Sequence, residues 1–152
     1  MTTIEQHNKQ TIQSADLIDE QFNRGIGVHR SGDFARAEEI YREILASVAD
    51  HFGAMHKLGS ILIQTGQLES GVELIDRALA IKPDHADALN NRGTVLMELK
   101  RLDEALASFD RALAITPDQA VILNDRGVVL AELKRLEEAL ASFDRALAIK
   151  PD

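Results

Sequence analysis

Apolar and polar residues alternate along the chain with the spacing of amphipathic helices, and these helices come in pairs. Over residues 86–99, Leu89, Leu96 and Leu99 are seven and three residues apart, which places them on one face of a helix. A second pattern of this kind runs over residues 103–115, after a short polar link. Ala, Leu, Glu and Arg, which favour helices, dominate both stretches. The pattern predicts a hairpin of two helices, each with one apolar face.

The same pattern recurs with a period of 34 residues. Pro83, Pro117 and Pro151 mark the period, and each lies in an Ile-x-Pro-Asp sequence. The last two repeats differ at 7 of 33 aligned positions. Such self-similarity is typical of a protein in which each unit packs on its neighbours. The repeats are residues 18–51, with Ala49 in place of Pro, then 52–85, 86–119 and 120–152.

Glycine and aspartate mark the predicted ends of helices. Gly32 and Gly66 follow first helices, at a position where a left-handed C-cap favours Gly. Asp33 suits the N-cap of the next helix, because its carboxylate accepts a backbone N–H. By the same reasoning, Asp84 and Asp118 are predicted to cap the first helix of the following repeat.

A set of small and large residues at fixed positions connects the sequence to a known family. In residues 86–119 the set is Leu89, Gly93, Leu96, Ala105, Phe109 and Pro117. A 34-residue helix–turn–helix with this set resembles the tetratricopeptide repeat (TPR) of bacterial-type proteins. The resemblance implies an all-α fold, a right-handed α-solenoid (superhelix) of four such hairpins. The solenoid is expected over residues 18–152, after an N-terminal arm at residues 1–17 that is partly helical or disordered.

Glycine occurs inside the first helices, where it lowers helix stability but lets a neighbouring helix approach closely. Gly71 replaces the Ala found at this position in the second helices of the other repeats, so we expect the second hairpin to be the least stable. The glycines predicted to permit close approach are Gly25, Gly59, Gly93 and Gly127.

Arginine occupies a first-helix position where the family usually has Leu. We expect the aliphatic stems of Arg24, Arg92 and Arg126 to cover the core while their charged heads reach water. Glu104 and Ser108 recur in the second helices and are interpreted as part of a solvated face.

In TPR proteins the first helices line a concave groove. Positions 2, 5, 6, 9, 12 and 13 of each repeat lie on the side of the first helix opposite its core positions, and four of the seven differences between the last two repeats fall there. We interpret this side as a binding surface; the alternative is drift at exposed positions. The predicted partner-binding residues are Phe22, Asn23, Ile26, His29, His56, Lys57, Ser60, Asp87, Asn90, Asn91, Thr94, Met97, Val121, Asn124, Asp125 and Val128.

The asparagines of this surface are its most suggestive members, because an amide both donates and accepts hydrogen bonds and so suits a peptide backbone. The alternative is that they are solvated or bonded locally. The carboxylate clamp of co-chaperones in this family, a set of Lys, Asn and Arg that binds acidic C-termini, is absent. Phe22 or His56, and Ile26 or Ser60, occupy positions where clamp groups would lie.

The two ends of the repeat array carry further expectations. Ile4, Ile12 and Ala15 fall near one helical stripe, so we expect the arm, from the same or a second copy, to pack on the apolar start of the groove. The last second helix has no following repeat to cover Leu140 and Leu147. Apolar patches of this kind favour a partner. Either the chain is part of a longer protein that covers the patch, or copies of the chain form homo-oligomers through the C-terminal hairpin or the arm.

Composition argues against several other functions. A net charge of −8 disfavours nucleic acid, and the lack of cysteine excludes thiol chemistry. No apolar run reaches the length of a membrane span, so no membrane insertion and a cytoplasmic location are expected. No metal site or cofactor is predicted, although His29 and His56 lie on neighbouring groove helices. No residue pattern indicates catalysis.

The sequence thus predicts a non-enzymatic scaffold that binds a peptide or helix of a partner protein in its concave groove. The alternative is a substrate-presenting TPR arm of a larger enzyme, such as an O-GlcNAc-transferase-like glycosyltransferase.

Overall fold

The structure is a computed structural model that describes residues 2–151. Within this range there are eight α-helices and no strand. Each odd-numbered helix pairs with the even-numbered helix that follows it, and the four hairpins stack in sequence order. The predicted all-α solenoid of four helix–turn–helix units is confirmed. The helices are α1 (Thr3–Arg30), α2 (Phe34–Ser47), α3 (Phe52–Gln64), α4 (Leu68–Ile81), α5 (Ala86–Glu98), α6 (Leu102–Ile115), α7 (Ala120–Glu132) and α8 (Leu136–Ile149).

The core of each hairpin forms where a helical glycine meets a large side chain of the second helix. A Cβ atom added to Gly93 would lie 2.5 Å from the ring of Phe109, and one added to Gly25 would lie 2.8 Å from the ring of Tyr41. Both rings are fully buried. The missing side chain therefore admits the ring of the paired helix, as the glycine positions predicted.

Gly71 lies at a close approach of the two helices of the second hairpin. A Cβ atom at Gly71 would lie 2.5 Å from Cγ1 of Ile63 and 3.0 Å from the carbonyl oxygen of Gly59. The two glycines face each other across α3 and α4, so their backbones approach closely and leave room for Ile63. Closer packing thus accompanies the lost helix propensity, and the lower stability of the second hairpin stays a prediction.

The links inside the hairpins turn through a residue with a left-handed backbone. Gly32 (φ +86°) and Gly66 (φ +84°) adopt this conformation as predicted. The equivalent positions of the later hairpins hold Lys100 (φ +59°) and Lys134 (φ +64°), which the sequence reasoning did not expect. Non-glycine residues adopt a left-handed backbone only at a steric cost. The geometry of the hairpin therefore requires this conformation even where the residue is not glycine.

One of the three predicted aspartate N-caps is confirmed. The carboxylate of Asp33 accepts the backbone N–H of Arg36 at 3.1 Å, which confirms the cap of α2. The prediction is wrong for Asp84 and Asp118, since each lies one residue before the N-cap. Before α5 the cap is His85, whose Nδ1 accepts a backbone N–H of the first turn at 3.2 Å.

Arg92 and Arg126 bind neighbouring side chains instead of extending into water. Nε of Arg92 lies 2.5 Å from the carboxylate of Asp76 in the preceding repeat, and Nη1 donates to Oγ of Ser108 at 2.8 Å. Arg126 makes the same two contacts one repeat later. Ser108 is only 2% exposed, so its interpretation as a solvated residue is wrong. The recurrence of Ser and Asp in the second helices thus has a structural cause.

The arm continues α1 without interruption, since this helix runs from Thr3 to Arg30. Ile4 and Ile12 are 73% and 62% exposed, and they do not fold back on the groove of the same molecule. A continuous helix carries residues 3–17 away from the first repeat by roughly 20 Å, at about 1.5 Å per residue. The expected packing of the arm on the groove of its own molecule is therefore wrong. Instead, Thr11 and Ala15 line a cleft with Ser47 and Val48 at the end of α2.

Candidate functional site

The predicted partner-binding residues lie on the leading helices α1, α3, α5 and α7, and contacts between neighbouring leading helices bury some of them. A Cβ atom on Gly53 of α3 would lie 2.5 Å from the ring of Phe22 in α1. His56 is 6% exposed, and Oδ1 of Asn90 is buried. Phe22, His56 and Asn90 all occupy position 5 of their repeats. Phe22 and His56 thus contact the next leading helix, and the expectation that His56 lies open to a partner is corrected.

Asn91 joins α5 to α3 through hydrogen bonds. Its amide nitrogen lies 3.1 Å from Nε2 of His56 and donates to Oγ of Ser60 at 3.2 Å. Burial, followed by the nearby charge of Lys57, lowers the pKa of His56 to about 4. The imidazole is therefore neutral at pH 7, and its Nε2 is available to accept from Asn91. Asn91 thus helps to hold neighbouring repeats together, which leaves its amide nitrogen engaged rather than available to a peptide.

The other predicted asparagines have different surroundings. Asn23 is exposed on α1. Asn124 is exposed next to Val121, in a cleft of about 490 Å³ shared with Phe143 and Leu147 at the C-terminal end of the array. The predicted asparagines therefore do not form a set of equivalent groups along one groove.

Several predicted groove residues remain partly or fully accessible along the leading helices. Asp125 is half-buried, and burial raises the pKa of its carboxyl while a hydrogen bond with Asn124 opposes that rise. Asp87 is exposed. The remaining predicted residues are half-buried, namely Ile26, His29, Lys57, Ser60, Thr94, Met97 and Val128.

A small cleft opens where α1, α2 and α3 meet, and we call it the Tyr41 cleft. Its volume is about 190 Å³, and its lining residues are Ile26, His29, Arg30, Tyr41 and Lys57. Burial, and then the charge of Lys57, lowers the pKa of His29, although a hydrogen bond with Gln64 opposes this shift. The His29 ring contacts the Tyr41 ring edge-on, with 6.3 Å between centroids.

Tyr41 was missed as a candidate site residue because its position in the repeat indicates core packing. The structure confirms that packing, with Tyr41 fully buried against Gly25. However, its hydroxyl has no hydrogen-bond partner among the described residues. One signal was available, since Tyr41 is the single tyrosine of the sequence and Phe109 and Phe143 occupy the equivalent positions.

The two histidines considered for a metal are not brought together. The ring of His29 contacts Phe34 and Tyr41, whereas that of His56 contacts Phe52 and His85. Among residues 2–151 there is no group of three or more His, Cys, Asp or Glu side chains placed to hold a metal ion. In the same range, no helix has the length and apolar content needed to cross a membrane.

Comparison with protein families agrees with the repeat geometry. Two family models described as tetratricopeptide repeat match residues 29–93 and 84–152. The chain belongs to the tetratricopeptide repeat family. This membership supports a role in protein–protein interaction. Comparison with curated proteins gives no match.

Solved structures of MamA have a similar fold. A structure entitled "Crystal structure of MamA protein" aligns with a TM-score of 0.83 and 19% identity, over 90% of this chain and 75% of that one. MamA residues 41 to the end from Desulfovibrio magneticus RS-1 give 0.81 and 18%, over 88% and 76%. MamA from AMB-1 gives 0.77 and 26%, over 88% and 78%. The likeness extends across the stacked hairpins of this TPR protein.

Proposed function

We propose that this TPR protein is a scaffold that binds an extended or helical segment of a partner protein along its leading helices. The observation that carries the proposal is a line of half-exposed apolar side chains on this wall. Ile26, Met97 and Val128 belong to it, with polar residues such as Thr94 between them. Apolar anchors with interspersed hydrogen-bonding groups are the usual composition of a peptide-binding groove.

The test compares the groove with another exposed face of the same repeats. Thr94→Arg with Val128→Arg places two bulky charges in the groove wall. Ala107→Arg with Ala141→Arg adds the same charges at exposed positions of α6 and α8. Partners captured from the source cells by the wild type are expected to be lost from the groove variant and retained by the control. Identical partner sets for all three proteins would reject the groove.

Self-association through the C-terminal hairpin is a second part of the proposal, supported by a comparison inside the sequence. Helices α6 and α8 are identical except that Asp103 is replaced by Glu137. Leu106 of α6 is 6% exposed beneath the next repeat, whereas its equivalent Leu140 of α8 is 61% exposed. The face that α6 buries is thus accessible on α8, and a second copy is proposed to cover it.

The opposite end of the array favours a two-fold arrangement over head-to-tail stacking. The side of α1 that a preceding repeat would cover carries Glu20, Arg24, Gly27 and Ser31 at positions 3, 7, 10 and 14 of its repeat. In the third repeat, which the second repeat covers, positions 3 and 10 are the buried residues Ala88 and Val95. Placing Glu20 against the exposed leucines of α8 would bury an unpaired charge, which is costly. A tail-to-tail pair of α8 helices avoids this cost.

A further inference from the structure

A cleft opens between the second helices of the first two repeats, and we call it the junction cleft. Its volume is about 540 Å³, and residues of α2, α3 and α4 line it. Leu58 and Leu62 of α3 are buried, at 2% exposure each, whereas Leu45 and Leu74 are half-buried and leave apolar surface accessible. Polar and charged residues of the lining are exposed, among them Arg42, Ser70, Glu73 and Arg77. The junction cleft therefore joins apolar surface to charged groups on second helices, which take no part in the proposed groove.

The later repeats show what occupies the equivalent space. Arg92 of the third repeat donates hydrogen bonds to Asp76 and Ser108. Its Nη2 also lies 3.6 Å from the carboxylate of Glu104. The next junction repeats the bonds of arginine to aspartate and serine. The three partners of Arg92 are equivalent to three residues that line the junction cleft, namely Arg42, Leu74 and Ser70.

The first junction has no arginine in this space. The residue equivalent to Arg92 is Leu58, whose side chain is shorter and uncharged. Within residues 2–151, the side-chain hydrogen bonds of α2 go to α1 or stay inside the helix, so none crosses the junction cleft to α3 or α4. A space that the chain fills with its own side chain at two junctions is therefore open to another molecule at the first.

The charges of the junction cleft are reversed relative to the later junctions. Arg42 replaces an aspartate, and its side chain remains 57% exposed although it pairs with Glu38 on its own helix. Arg77 is exposed and forms no hydrogen bond or ion pair inside the described range, whereas its equivalent Arg111 donates to a backbone carbonyl. Glu73 is the one acidic residue of the lining. Carboxylates receive a cation at the later junctions, so arginines at the first junction favour an anionic group.

We propose that the junction cleft binds an acidic segment of a partner protein. The segment places an apolar side chain, such as leucine, against Leu45 and Leu74, and pairs a neighbouring carboxylate with Arg77. A free lipid anion fits less well, because two half-buried leucines are too small a surface to cover an alkyl chain. This second docking site lies outside the proposed groove and does not depend on it.

The experiment is an NMR titration of the full-length protein with four probes. Ac-Ala-Ala-Leu-Glu-Ala-Ala-NH2 carries both groups, and two control peptides replace either its leucine with alanine or its glutamate with glutamine. Decanoate presents an alkyl chain and a carboxylate without a peptide. The methyl groups of Leu45 and Leu74 are expected to shift with the first peptide. Each replacement in the peptide should raise its dissociation constant about fivefold or more, the equivalent of one ion pair or one apolar contact.

A graft from the later junctions fills the junction cleft. Arg42→Asp with Leu58→Arg and Leu74→Ser rebuilds at the first junction the arginine, aspartate and serine contacts that the chain forms twice elsewhere. The grafted arginine should occupy the space and remove binding of the first peptide. Circular dichroism and the melting temperature show that the graft keeps its fold.

A matched pair of single variants tests the charged contact. Arg77→Gln removes an exposed cation without a partner in the described range, so the variant should fold and bind the first peptide about fivefold or more weakly. Arg111→Gln makes the same change at the equivalent position one repeat later and should leave binding unchanged.

Each outcome supports or overturns the inference. Equal binding of all three peptides, no shift with any peptide, or binding by decanoate alone overturns it. So do shifts confined to the leading helices, full binding by the folded graft, or equal effects of Arg77→Gln and Arg111→Gln. If Arg77→Gln instead lowers the mass of the protein in light scattering, a second copy occupies the cleft and the assignment to a partner protein fails. None of these results bears on the groove, which the capture experiment tests with variants of other residues.

Discussion

At the scale of single residues, the hydroxyl of Tyr41 makes a prediction for the free protein. Burial raises the pKa of this phenol to about 12, so it remains protonated and unpaired at neutral pH. Tyr41→Phe removes the unpaired group and keeps the ring against Gly25. The free energy of unfolding is expected to rise by about 1 kcal/mol, as measured by urea denaturation without ligand. A loss of stability would mean that the hydroxyl has a structural partner.

His56 predicts a dependence of stability on pH. Burial first, and then the charges of Lys57 and His85, lowers its pKa from 6.5 to about 4 in the folded protein. Between pH 6.5 and about pH 4, the His56 imidazole is protonated in the unfolded protein but stays neutral in the folded protein. The free energy of unfolding should therefore be highest above pH 6.5 and fall by about 2 kcal/mol by pH 5. Urea denaturation at several pH values measures this slope.

A matched pair of variants separates His56 from the remaining histidines. His56→Gln keeps an acceptor for Asn91 but does not titrate, so the loss of stability between pH 7 and 5 should become clearly smaller. His7→Gln, on the exposed arm, should leave the slope unchanged. Equal slopes in wild type and His56→Gln would contradict the assignment. The slope that remains is expected to come in part from His29, whose pKa burial also lowers.

At the scale of helices, two glycines with different surroundings give opposite predictions. In a helix Ala is more stable than Gly by about 1 kcal/mol. Among the described residues nothing lies within 4 Å of a Cβ added to Gly27, so Gly27→Ala should stabilise the protein by up to that amount. A Cβ at Gly71 meets Ile63 and the backbone oxygen of Gly59, so Gly71→Ala should destabilise it despite the better propensity. The melting temperatures of the two variants test both predictions. If both substitutions stabilise the protein, α3 and α4 can move apart at little cost in free energy.

The helices also show which features the sequence could predict. The repeat period located every hairpin, and the glycines predicted where rings such as Phe109 pack, because both depend on contacts within one repeat. The side of the leading helices that stays accessible was less predictable. Positions 5 and 6 are about 100° apart on a helix, and the rotation between repeats decides which of them meets a neighbour. That rotation buries His56 and engages Asn91. Ser108 looked solvated because its partner, Arg92, lies 16 residues away.

At the scale of the whole molecule, the difference between the two ends predicts a finite assembly. The α1 end is polar, whereas the α8 end exposes Leu140 and Leu147 at 61% and 57%. An isologous contact between two α8 faces closes on itself and leaves the α1 ends free. Light scattering should show a mass that rises with concentration from 16.8 kDa towards twice that value and then stops.

Variants on two sides of α8 locate the contact. Leu140→Glu with Leu147→Glu places charges on the exposed apolar face, so the protein should remain at 16.8 kDa at all concentrations. Ala141→Glu with Ala148→Glu adds the same charge at exposed positions one residue further along, on a different side of the helix, and should still pair. A wild type that stays monomeric contradicts self-association. Growth beyond two copies contradicts the closed pair, because it requires the polar α1 end to take part despite the charge of Glu20.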